Sequence, residues 1–199
     1  MSDLVNQILG QVGGQGLAAI ANQIGASETQ TKSAMEGIVP TLLGAMANIS
    51  RTEQGAQGLL GALDADHDGS IFDDVIGFVG NYQQGPGQGI LNHVLGGKQT
   101  VVEQGISSKT SLSSSQINSL LQIVAPMILG YLGKQKKQAT SGFDIGDIAQ
   151  LLGGMTQQAD KSTGLDLGDI LNVVGGLTGN QKSSGAASAL GPLGKLFKR

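Results

Sequence analysis

The sequence predicts an all-α protein: a multi-helix bundle with two related halves, short Gly-punctuated helices and one EF-hand-like calcium loop. Three observations carry this. Val, Ile and Thr never alternate with polar residues over strand length, so no strands are predicted. Two segments place apolar residues at i, i+3, i+4, i+7 and i+8 behind a Ser-x-x-Gln capping box, the signature of a helix start followed by one apolar face. The eleven residues from Asp64 to Asp74 hold five of the chain's fifteen acidic groups, in D-x-D-x-D-G spacing.

Composition bounds the rest. At 199 residues and 20.2 kDa the chain is long enough for one good core or two small ones. Apolar residues make up 39% but aromatics only 3%, with no Trp, so the core is built from Leu, Ile, Val, Ala and Met. Glycine is abundant, 33 residues against a usual share of ~7%, which fits close helix packing and frequent helix ends. The formal net charge of −3 lacks the basic face of a nucleic-acid binder, so nucleic acid is not an expected partner. The absence of cysteine excludes a disulfide framework and Cys-based zinc sites.

The segment Met1–Ile8 has no basic region and no apolar run, so no Sec-type signal is read there. No uninterrupted apolar stretch approaches the ~18 residues of a transmembrane helix. The expected compartment is the cytoplasm; export by a leaderless route would leave no trace in the sequence.

The first long helix opens at Ser27-Glu28-Thr29-Gln30 and continues through Met35, Ile38, Val39, Pro40, Leu42, Leu43, Gly44 and Met46. The chain repeats this at an offset of 86 residues: Ser113-Ser114-Ser115-Gln116, then Leu121, Val124, Ala125, Pro126, Ile128, Leu129, Gly130 and Leu132. Each proline is expected to kink its helix or to start a second one. A helix is predicted over 52–63, the acidic loop follows, and a further helix is predicted over 72–80. Gly85-Pro86-Gly87-Gln88-Gly89 reads as a loop, and a short helix is placed near Val101–Gln104. Asp144–Gly154 returns 22 residues later as Asp166–Gly176, and Asp74–Gly80 is a related version; each reads as a short helix with Asp at its start and Gly at its end.

The predicted organisation is a helical domain over 1–133 with an internal repeat, a polar linker over 134–142, short helical repeats over 143–178 packed on the main domain, and a Gly/Ser linker with a basic, apolar tail over 179–199. The arrangement resembles the bacterial DUF937 (YidB-like) domain-of-unknown-function family. The residues that carry the match are Ile38–Gly44, the Asp64–Asp74 loop with Asp73-Asp74, Gly89–Gly96 and Val124–Gly130, and it spans roughly 1–155. The resemblance implies an all-helical fold and no activity.

In an EF-hand loop, ligands fall at positions 1, 3, 5, 7, 9 and 12, with glycine at 6 for the turn. Counting from Asp64, these are Asp64, Asp66 and Asp68, then Gly69 for the turn and Ser70 offering its backbone carbonyl. Ile71 takes the inward-pointing apolar position and Phe72 supplies no ligand. The twelfth position is Val75, which cannot bind, so the last acid comes early, from Asp73 or Asp74. Asp74 is the favoured ligand, leaving Asp73 to cap the exiting helix. The expected cofactor is Ca2+, with Mg2+ or a metal-free acidic turn as the alternatives. Without a cation the crowded carboxylates repel one another and their pKa values rise. His67 falls at a non-ligand position and reads as solvated.

No catalytic constellation accompanies the loop. His93 lies in an Ile-Leu-x-x-Val-Leu pattern without a second histidine and reads as a helix-face or core residue. Ser111–Ser115 lacks a G-x-S-x-G setting and reads as a turn and cap. No phosphate-binding glycine motif sits between a strand and a helix. The expected function is therefore a non-enzymatic, calcium-binding structural or protein-interaction scaffold that self-assembles or holds another protein. The competing reading is a peripheral membrane protein using Gly-rich amphipathic helices and the tail. Residues 1–190 hold 9 basic and 15 acidic groups, whereas Lys195, Lys198 and Arg199 reverse the sign at the end. Such a tail suits weak association with an anionic membrane or docking on a partner.

Overall fold

The computed structural model describes residues 3–65, 69–138 and Gly154, and among these it is all-helical. Seven helices follow in order: α1 Asp3–Ile24, α2 Glu28–Ile49, α3 Glu53–Ala65, α4 Val75–Gly80, α5 Gly87–Val94, α6 Gln99–Ser107 and α7 Ser114–Gln138. Single 3-10 turns, Ser70–Phe72, Tyr82–Gln84 and Gly96–Lys98, stand before α4, α5 and α6.

Both predicted capping boxes form. The Ser27 hydroxyl accepts from the Gln30 N–H at 3.2 Å while the Gln30 side chain accepts from the Ser27 N–H at 3.0 Å. Ser113 and Gln116 repeat the exchange at 3.3 and 2.9 Å. The Gln116 amide also donates to the carbonyls of Ile24 and Gly25, each at 3.0 Å, which ties the start of α7 to the end of α1.

The two long helices form the middle of the fold. Every residue of α2 from 37 to 44 and of α7 from 123 to 133 is buried, and a helix buried all round is an interior helix. They pack on each other, with α1, α3, α5 and α6 also packed on α7. The core is aliphatic, as the composition requires: Ile8, Ile20, Met35, Ile38, Leu42, Met46, Leu91, Leu120 and Leu121 are fully inaccessible.

Several expectations are corrected. Each long helix runs through its proline, Pro40 or Pro126, without starting a second one. A proline inside a helix frees the carbonyl four residues earlier, and at Gln122 the surrounding structure meets that carbonyl. Gly87 lies directly over it: a Cβ there would touch the carbonyl oxygen and lie 2.8 Å from the carbonyl carbon. Gly87-Gln88-Gly89 is accordingly not loop but the first turn of α5, opened by the Ile90 N–H bonding the Pro86 carbonyl at 3.0 Å. α7 continues to Gln138, so 134–138 is helix rather than linker. Lys136 and Lys137 complement the dipole of its last turn. The helix expected from residue 72 begins at Val75, after the 3-10 turn.

Ser114–Gln138 is also long and apolar enough to cross a membrane by length and composition, with mean hydropathy 1.2, although 78% of that window is buried within the fold. The sequence search for an unbroken run passed over it because Gln, Asn, Pro and Gly interrupt its apolar residues. The proposed linker beyond 138 and the tail lie outside the described residues, as does all of the 143–178 block except the helical Gly154.

The sequence reading did not delimit α1. It contains Gly10, Gly13, Gly14 and Gly16, and Gly13 leaves helical geometry at φ 70, ψ 171. The break divides α1 into segments 3–12 and 14–24, and Val5, Ile8 and Ile20 from the two segments enter the same core.

Candidate metal-binding loop

The acidic loop joins α3 to α4. Asp64 lies in the last turn of α3; its side chain, and all of Asp66, His67 and Asp68, lie outside the described residues. The exit half is described. Gly69 adopts φ 94, ψ −4, a left-handed conformation natural only to glycine. The 3-10 turn Ser70–Phe72 follows, closed by the Phe72 N–H to the Gly69 carbonyl at 3.1 Å and the Asp73 N–H to the Ser70 carbonyl at 2.9 Å.

This turn is seated on α7 by two glycines. A Cβ on Gly69 would stand 3.2 Å from the Lys134 Cβ and 3.3 Å from the Gly130 carbonyl oxygen. A Cβ on Gly130 would stand 2.7 Å from Ile71 Cγ2 and 3.5 Å from the Phe72 ring. Ile71 and Phe72 thus pack, partly buried, against the core through the gap left at Gly130. Gly130→Ala is expected to cost about 1–2 kcal/mol by forcing Ile71 outward. Ile71→Leu, which removes the β-branch methyl Cγ2 that the new Cβ would meet, recovers part of that loss; urea denaturation of the single and double variants measures it.

The helix cap falls on the other acid from the one expected. Asp74, not Asp73, caps α4: its Oδ1 accepts from the Gly77 N–H at 2.8 Å. The reason is local. The 3-10 turn consumes residues 70 to 72, so the first α-helical residue is Val75 and the position before it is Asp74. Asp73 is exposed and takes no part in the cap. Ser70 is exposed as well. Among the described residues no group of three or more His, Cys, Asp or Glu is gathered, and the central carboxylates of the loop are outside that set.

Sequence reasoning passed over a second polar feature beside the loop. Gln7 and Gln11 of α1 face Tyr131, Lys134 and Gln135 of α7 around a cavity of about 220 Å³. Tyr131 Oη bonds Gln7 Oε1, Gln135 Nε2 donates to Tyr131 Oη at 2.8 Å, and Lys134 Nζ donates to Gln11 Oε1 at 2.8 Å. The pairs 7/11 and 131/135 each stand four residues apart, the signal that would have placed them on facing helix stripes. His93 is exposed in the last turn of α5, with Nε2 near Gly58 of α3.

The model of a family described as bacterial protein of unknown function (DUF937) matches residues 6–135. No curated protein and no solved structure matches the chain.

Proposed function

Since the chain belongs to the DUF937 family of bacterial proteins, which brings no activity with it, we propose a function from the chain's own residues: a non-enzymatic, calcium-stapled helical scaffold that engages other protein surfaces. The observation that carries this is Gly69. It stands sixth in D-x-D-x-D-G and has the left-handed conformation that this turn needs. The apolar residue after Ser70, Ile71, points into the core as an EF-like loop requires.

The donor set suits a hard cation. Asp64, Asp66, Asp68 and Asp73 offer carboxylate oxygens, Ser70 its carbonyl, and Asp74 the oxygen not used in capping. Calcium takes six to eight oxygens and accepts water among them, whereas magnesium demands stricter octahedral geometry. The ion would join the end of α3 to the 3-10 turn held on α7, so its binding free energy adds to folding. Calcium at about 100 times its dissociation constant is expected to stabilise by about 2.7 kcal/mol, an upward shift in melting temperature that a chelator reverses. Asp66→Asn with Asp68→Asn removes the shift. An unchanged melt of the wild-type chain in excess calcium and in chelator would falsify the site.

The same proposal extends to architecture: two related halves at the 86-residue offset. Burial supports it at six pairs: Val5 with Leu91, Ile8 with Val94, Ile20 with Ile106, Met35 with Leu121, Leu43 with Leu129 and Met46 with Leu132 are all buried. The acidic loop belongs to the first half alone, since Asp144 and Asp147 lack the D-x-D-x-D-G run.

A further inference from the structure

We propose that residues 3–12 form an exchangeable arm hinged at Gly13, and that its partner is a second copy of this chain. This deepens the scaffold reading by naming a partner, and it rests on that reading only for self-association.

The hinge comes first. At φ 70, ψ 171 Gly13 occupies a backbone region that is essentially closed to other residues. A Cβ there would meet nothing within 4 Å, so space does not require the glycine; backbone conformation does. Gly10, Gly14 and Gly16 lie around it, so the centre of α1 holds its helix weakly. Rotating Gly13 alone into helical values makes α1 one straight helix of 22 residues. The arm then extends about 15 Å beyond the hinge, at the usual rise per residue.

Next is what the arm leaves behind. Bent at Gly13, it buries Val5 and Ile8 completely and Val12 nearly so. Its side chains bond α7 through Gln7 to Tyr131 and Gln11 to Lys134. Straightening exposes Val5, Ile8 and Val12 together with the core side chains they cover, an unfavourable state in a lone chain. The vacated seat keeps Tyr131 and Lys134 as partners for Gln7 and Gln11. The arm of a second copy satisfies it with identical contacts, and reciprocal exchange closes a two-fold dimer. Monomer and dimer then differ mainly at Gly13 and in the entropy of association.

Gly13→Ala tests this on the full chain, because alanine disfavours the non-helical backbone at this hinge and favours the helical one. Light scattering is expected to show the G13A chain at twice the monomer mass, with dimer association strengthened by about tenfold or more relative to wild type. Gly14→Ala, where a Cβ also meets nothing, leaves the wild-type mass. The chain contains no cysteine, so Gln11→Cys and Lys134→Cys introduced together in G13A report the arm's position with a short bismaleimide. A product linking two chains supports exchange. Doubled mass with a link inside one chain overturns exchange while leaving self-association standing, and unchanged mass in folded G13A overturns the proposal. Should G13A not fold, wild-type-hinge chains bearing Q11C are incubated with chains bearing K134C; absence of a linked heterodimer overturns it equally.

Discussion

Gly87→Ala is expected to destabilise the fold by about 3 kcal/mol, at the upper end of what one added methyl does in a packed interior. The cause is that both sides of the contact are main chain. A Cβ on Gly87 would overlap the Gln122 carbonyl oxygen and lie 2.9 Å from the Gln122 Cα. No rotamer can relieve this; α5 has to move off α7. Pro126 explains why the carbonyl is there to be approached, since the amide that would have bonded it is missing. Gly89→Ala is the control. It lies in the same helix, and a Cβ there meets nothing within 4 Å. It should stabilise by roughly 0.5–1 kcal/mol, the ordinary gain of alanine over glycine in a helix. Thermal melts of the two variants are therefore expected to shift in opposite directions. A Gly87→Ala chain that melts with wild type would mean that α5 does not sit on the Gln122 carbonyl.

Leu43→Ala and Leu129→Ala carry the second large effect. Both leucines are 1% exposed, at matching positions of α2 and α7. Each truncation loses transfer free energy and leaves a cavity, for an expected cost of about 3 kcal/mol within the usual 2–5. That corresponds to roughly 10 °C in melting temperature for a domain of this size. Ile76→Ala is the contrast: at 54% exposure its change stays within about ±0.5 kcal/mol. Near-equal losses at Leu43 and Leu129 are expected if the offset of 86 residues marks equivalent packing. A loss at one position several times that at the other would count against two related halves.

What could be read from sequence follows how local the physics is. The starts of α2 and α7 were legible because a capping box needs only four consecutive residues, and both boxes form. Their lengths were less legible: α7 reaches Gln138 with Lys134 finding Gln11 across the fold and Gln135 finding Tyr131 one turn back in the same helix. α1 was not delimited at all, since four glycines hide its helical pattern and only the core around Val5, Ile8 and Ile20 keeps its two segments in place. A turn at Gly69 was legible from the acidic spacing, and its left-handed backbone became visible only in the structure. Which of Asp73 and Asp74 caps α4 was not legible, because it depends on where a 3-10 turn ends.

The sequence by itself determined the helical class, the aliphatic character of the core, both long-helix starts and the position of the one acidic loop. These depend on composition, periodicity and contacts within a few residues. Only the tertiary structure decided which glycines are indispensable. Gly87, Gly130 and Gly13 look alike in the sequence. One faces a freed carbonyl, one leaves room for Ile71, and one bends α1 where nothing crowds it. Gly87 and Gly130 are defined by what a side chain would have met there, a neighbour from a distant part of the chain, and Gly13 by its backbone conformation alone.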